Sequence, residues 1–180
     1  MKRKDKEQVY EPVKDALLCL YVLFACISYL CMPVAVCAEE DRAGALCKEA
    51  AALFEQGSTD KAIAVAKEAI AADPGNAVAY DQLGYFLLEK GQLDDSLTAF
   101  RAALKINPGL RTSKTGIGLA LLKKGDPKGA EAELTGALAM NPYPSMTHYA
   151  LGLVYESLGD YEKSVIQFKE GIRTFKSGKK

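Results

Sequence analysis

Tryptophan is absent from the 180 residues, and histidine occurs once, as His148. No His-x-x-x-His and no Cys-x-x-Cys occurs, so a local zinc motif is excluded. Runs of Val, Ile and Thr are scarce while alanine and leucine abound, which argues against sheets and for helices. Neither sign of charge predominates: 23 Lys and Arg meet 23 Asp and Glu. That balance removes any general electrostatic pull toward nucleic acid or an anionic membrane. Cysteine is scarce where a staple would matter. Cys19, Cys26, Cys31 and Cys37 all precede Glu39, leaving Cys47 alone beyond it. No intramolecular disulfide can form there, so packing must supply the stability. Cys47 reads as a half-buried small residue.

Catalytic groups are equally hard to find. Gly116-x-Gly118 falls inside an expected helix instead of after a strand, so a dinucleotide loop fails. Acidic groups gather at Glu39-Glu40-Asp41 and at Glu131 with Glu133, which a polar chain start and a solvated helix face explain. An enzyme needs a positioned acid, base, nucleophile or metal. None is legible, so no catalytic, metal or cofactor residue is assigned and no cofactor is expected.

The first 38 residues form a separate kind of sequence. Met1 to Asp15 is polar and opens with Lys2, Arg3, Lys4 and Lys6; Ala16 to Ala38 then runs for 23 residues without a formal charge. As a helix rising about 1.5 Å per residue, that run would span a hydrocarbon core of roughly 30 Å. Two readings stand. A secretory signal would break at Pro33 and be cut after Ala38, with Val36 and Ala38 as the residues before the cut. An uncleaved anchor would keep its Lys-rich end in the cytoplasm. Leu23-Phe24-Ala25-Cys26 resembles a lipobox weakly, since Phe24 is bulky and more apolar chain follows. Either main reading places the remainder outside the cytoplasm, in a periplasm or cell envelope, with membrane contact only through residues 16–38 if they are retained. From Glu39 onward 18 basic residues face 19 acidic ones, so that part is nearly neutral.

Self-similarity organises everything after residue 42. Asp73-Pro74, Asn107-Pro108 and Asn141-Pro142 recur every 34 residues, and Gly57, Gly91, Gly125 and Gly159 keep the same interval. Three further columns follow: Ala50, Gly84, Gly118 and Gly152; Ala62, Ser96, Ala130 and Ser164; Ala69, Ala103, Ala137 and Gly171. Each copy reads as two helices of about 13 residues joined by a tight turn. The Gly57 column sits where a left-handed residue would end the first helix. Asp60, Asp94, Asp126 and Asp160 lie at or near the next helix start, where carboxylates can accept unpaired amide hydrogens. Pro127 suits a first helical position, and the X-Pro steps, including Pro108 and Pro142, stop the second helices. The small columns would let paired helices approach, while Leu83, Leu87, Phe100 and Leu104 fill the gap to the next copy. Ile117, Leu121, Leu134 and Leu138, then Leu151, Tyr155, Phe168 and Ile172, take those places later. The first copy is alanine-rich, with Ala66 where the second has Phe100, and should be the least stable.

Tyr80, Leu83-Gly84, Leu87, Ser96, Phe100, Ala103 and Pro108 together resemble the tetratricopeptide repeat pattern, and His148, Leu151-Gly152, Tyr155, Ser164 and Phe168 repeat it. Departures are Glu49-Ala50 for Leu-Gly, Lys114 at a large-residue place, and Lys176 where proline would fall. The resemblance covers about residues 43–176. It implies an all-α, right-handed superhelix of four repeats at 43–76, 77–110, 111–144 and 145–176, after a short linker at 39–42 and before a basic tail at 177–180. Residues 161–175 would form the closing cap, with Lys163, Gln167, Lys169, Glu170 and Arg173 turned outward. His148 falls at a packing place.

The resemblance also implies a non-enzymatic adaptor whose concave face holds a protein or peptide. The facing residues would be Asp81, Tyr85 and Leu88, then Thr115, Leu119, Leu122 and Lys123, then Tyr149, Leu153 and Glu156. Several of these could equally be packing residues between layers. Members that clamp a C-terminal carboxylate use Lys, Asn and Arg at places filled here by Cys47, Ala51, Thr115 and Gly116, so that specificity does not carry over. A second reading is self-association, end to end, through residues 43–72 or 161–175. A hydrolase is a third, and no residue constellation supports it.

Overall fold

A computed structural model of the chain describes residues 42–139 and 144–177. The apolar run at 16–38, the Asn141-Pro142 stop and the end of the basic tail lie outside those residues. Among the described residues there are eight helices and no strand: α1 (42–55), α2 (Thr59–Ala72), α3 (Ala77–Glu89), α4 (Leu93–Ile106), α5 (Arg111–Lys123), α6 (Pro127–Leu138), α7 (Ser145–Ser157) and α8 (Tyr161–Ser177). Successive pairs build an all-helical solenoid.

Each hairpin turn has the same cause. Gly57, Gly91, Gly125 and Gly159 have φ of 76°, 78°, 84° and 76°, the left-handed region that side-chain-bearing residues avoid. In that conformation Ser58 N–H donates to the Leu53 carbonyl and Gly57 N–H to Phe54, each at 2.9 Å. This pair of bonds, repeated at each turn, satisfies carbonyls that the first helix would leave open. The second helices end differently. Asp73 and Asn107 accept from the amides of Gly75 and Gly109 at 2.8 and 3.0 Å, folding the chain over Pro74 and Pro108.

The aspartates near the second-helix starts divide into two kinds. Asp126 accepts from Gly129 N–H at 2.9 Å and Asp160 from Lys163 N–H at 3.1 Å, so both cap a helix. Asp60 and Asp94 lie inside the first turn instead. They reach forward one repeat, to Lys90 at 2.6 Å and Lys124 at 2.5 Å. These are exposed ion pairs and contribute little to stability.

The small columns mark the tight approaches. Ala62, Ser96, Ala130, Ala69, Ala103 and Ala137 are all fully buried. A methyl on Gly84 would lie 2.6 Å from Phe100, on Gly118 2.4 Å from Leu134, and on Gly152 2.4 Å from Phe168. Ser96 also donates to the Gly84 carbonyl at 2.8 Å, tying α4 to α3. Phe100 is 0% exposed, and its ring lies 2.3 Å from where a Gly116 methyl would stand. One aromatic ring therefore fills the space between two glycine backbones, on α3 and α5. Burial of such a ring contributes about 1.5–3 kcal/mol.

Between repeats the core is a chain of linked clusters. Ile63 and Ala66 meet Leu83, Phe86 and Leu87, with Phe54 stacked on Phe86 at 4.7 Å between ring centres. Leu88, Leu97, Phe100, Ile117 and Ala120 follow, then Leu134, Ala150, Leu151 and Val154. Cys47 is buried with Ala69 and Ala79, and burial, with Asp73 nearby, pushes its thiol pKa up. Two expectations need correction here. Ile172 is 57% exposed, so among the described residues no neighbouring helix covers it. Nor is α8 a polar cap: Val165, Ile166 and Phe175 are 49%, 50% and 54% exposed on it.

Candidate protein-binding surface

The curvature of the stack decides which helices face inward. From α2 to α8 each helix touches its chain neighbours; in addition α3 touches α5, and α5 touches α7. No such contact joins α2 to α4, α4 to α6 or α6 to α8. First helices therefore crowd together and second helices splay apart, which puts α3, α5 and α7 on the inner side.

Hydroxyl groups knit this inner wall. Asp81 on α3 accepts from Thr112 Oγ1 at 2.9 Å and Ser113 Oγ at 2.5 Å on α5. Tyr85 donates to the Thr112 carbonyl at 2.8 Å, and its ring meets Phe100 edge-on at 4.9 Å. Thr115 on α5 and Thr147 on α7 share a hydrogen bond of 2.9 Å. Burial raises the Asp81 pKa, against the lowering pull of the bonds from Ser113 and Thr112. Burial, with the Asp81 charge beside it, likewise drives the Tyr85 hydroxyl pKa well up. Thr112, Ser113 and Thr147 were not among the residues expected from the sequence. The signal for them was an offset: Asp81 to Ser113 and Thr115 to Thr147 both span 32 residues. Neighbouring first helices therefore meet two places out of step with the repeat.

Against the expected groove set, the structure sorts residues by availability. Leu88 is 5% exposed and packs on Phe100 and Leu97, and Thr115 is 3% exposed and bonded to Thr147. Neither can offer its side chain to a partner, which corrects that expectation. Asp81 and Tyr85 are half-buried and committed to the α3–α5 seam. Leu119 and Leu122 are half-buried against the clusters on either side of α5, and Leu153 is half-buried on α7. Lys123, Tyr149 and Glu156 are exposed. The expected set thus offers partly covered leucines together with the exposed Lys123, Tyr149 and Glu156.

Among the packing residues, Gly84, Ser96, Phe100, Ala103, Gly118, Ala130, Ala137, Gly152 and Ser164 are buried, Phe168 is half-buried and Pro108 is exposed. Pro142 lies outside the described residues. His148 Nδ1 pairs with Gln167 Oε1 at 2.8 Å, joining α7 to α8. Among the described residues no three His, Cys, Asp or Glu side chains gather as a metal site, and no helix is long and apolar enough to cross a membrane.

A solenoid of helical hairpins with an inner wall of first helices is a protein-interaction scaffold. Family models described as tetratricopeptide repeat match residues 53–112 and 115–178, and the chain belongs to that family. No curated protein matches it. Solved structures share the fold. A thermophilic tetratricopeptide protein of Thermus thermophilus has a TM-score of 0.69 at 20% identity, over 73% of this chain and 74% of that one. Pseudomonas aeruginosa pilF gives 0.68 at 19% identity, over 76% and 63%. PilW, described as a widely conserved type IV pilus biogenesis factor, gives 0.66 at 20% identity, over 73% and 61%.

Proposed function

We propose that this chain is a non-enzymatic adaptor outside the cytoplasm, delivered or anchored by residues 1–38, that holds a segment of a partner protein against α3, α5 and α7. The observation that carries this reading is the half-buried Leu119, Leu122 and Leu153 on α5 and α7, with Lys123, Tyr149 and Glu156 exposed on the same two helices. Apolar side chains with sparse charge suit the apolar face of an amphipathic helix or an extended peptide. It offers no cationic track for nucleic acid. The kinship of fold with a pilus biogenesis factor favours an envelope setting.

The test uses the full chain in its host. A photo-crosslinking residue at Lys123 or Glu156 should trap a partner protein of defined mass. Leu153→Asp should abolish that adduct while circular dichroism stays helical. A folded Leu153→Asp protein with undiminished capture would overturn the groove reading. N-terminal sequencing tests delivery: a mature chain beginning at Glu39 is the cleaved outcome, and an intact Met1 recovered in the membrane fraction is the anchored one. An intact chain recovered only from cytosol would sink both.

A further inference from the structure

Among the described residues, α8 leaves open a face that the earlier second helices have covered. On α4, Leu97 is 5% exposed and Leu104 half-buried beneath α5, and on α6 Leu138 is half-buried beneath α7. The same columns on α8 hold Val165 and Ile172, at 49% and 57%. Between α7 and α8 lies an apolar groove of about 700 Å³, lined by Met146, Tyr149, Phe168 and Ile172 among others. We propose that this terminal α7–α8 face seats the same face of a second copy of this chain, giving an antiparallel two-fold dimer.

Three observations select the second copy. Tyr161, Val165, Ile172 and Phe175 are all exposed on α8 and spaced four, seven and three residues apart, the heptad spacing of a seam along which helices pair. The free flank of that seam carries Glu162, Lys169 and Lys176, all exposed and without an ion pair among the described residues. Antiparallel pairing sets Glu162 of one copy beside Lys176 of the other, twice over by symmetry. Lys169 meets its own counterpart once, so attraction outnumbers repulsion. The same face also carries both the groove and the protruding Val165 and Ile172 that can enter a groove, which is what a self-complementary interface requires.

The opposite end of the stack does not offer a match. Ala45, Glu49 and Ala52 are exposed there, in the columns where Ala79, Leu83 and Phe86 face the preceding repeat. Head-to-tail stacking would bury the Glu49 carboxylate against apolar side chains, which is costly.

The experiment is photo-crosslinking of the full chain in its host, with the reactive residue at Val165 or at Ala45. From position 165 an adduct of twice the chain mass is expected. Glu162→Lys should reduce that adduct several-fold, and adding Lys176→Glu to the same chain should restore it. Position 45 should give no such adduct. An adduct of another mass at 165, a doubled mass from 45, or a Glu162→Lys adduct undiminished would each overturn the dimer. The adaptor reading is probed at Lys123 and Glu156 with a different product mass, so the two can fail separately.

Discussion

Gly118 and Gly136 are both helical glycines, yet their surroundings are opposite. A methyl on Gly118 would meet Leu134 at 2.4 Å, whereas Gly136 has nothing within 4 Å. Gly118→Ala is expected to destabilise the fold by about 1–3 kcal/mol through overpacking. Gly136→Ala should stabilise it by about 0.5–1 kcal/mol, from helix propensity alone. Urea denaturation of the two variants measures both signs. Asp81 supplies a prediction in pH. Burial raises its folded pKa, so the folded state holds its proton more tightly than the unfolded chain does. Its contribution is therefore most favourable below the ordinary aspartate range and is lost as pH rises through the raised value. Asp81→Asn cannot ionise. The stability of the natural chain relative to this variant should fall as pH rises through and above the ordinary aspartate range. A constant difference across that range would contradict the burial argument. What the sequence disclosed at this scale was the identity of the tight places, because only small residues recur in them. Gly116 was not legible as one, since its neighbour Phe100 comes from the preceding repeat.

At the scale of the helix, the caps separate residues that look alike in sequence. Asp126 bonds the Gly129 amide and precedes Pro127, while Asp94 only pairs with Lys124 at the surface. Asp126→Ala should cost about 1 kcal/mol, and Asp94→Ala should leave the denaturation midpoint unchanged. The turns were fully legible, because a left-handed residue at a fixed interval leaves glycine there each time. The inner face was legible only in part. Periodicity gives the side of a helix but not how far its neighbour overlaps it. Leu88 and Thr115 point along the expected side and are still covered, because α4 and α5 close over Leu88 and α7 reaches Thr115. The seam of Asp81 with Thr112 and Ser113 depends on the slide between α3 and α5, which no single helix encodes.

For the whole molecule, stability should vary along the stack, since each repeat touches only its neighbours. The first unit packs on Ala50, Ala62 and Ala66, where the second has Phe100. Hydrogen exchange should show α1 and α2 opening before α3 to α6, and uniform protection across the helices would refute this. Ala103, fully buried, tests the register globally: Ala103→Phe should overpack by about 1–3 kcal/mol. The number and order of helices followed from the 34-residue interval. The open character of α8 did not, because its charged residues look like an outer face until Val165 and Ile172 are seen uncovered.

The two ends of the stack also differ in what could be grafted to them. A supplementary hairpin fused behind Ser177 would meet Val165, Phe168 and Ile172, the kind of bed on which α5 and α7 already rest. One fused ahead of residue 42 would meet Glu49 and Ala52 instead. An added unit is thus expected to gain more purchase on the α8 face than on the α1 face.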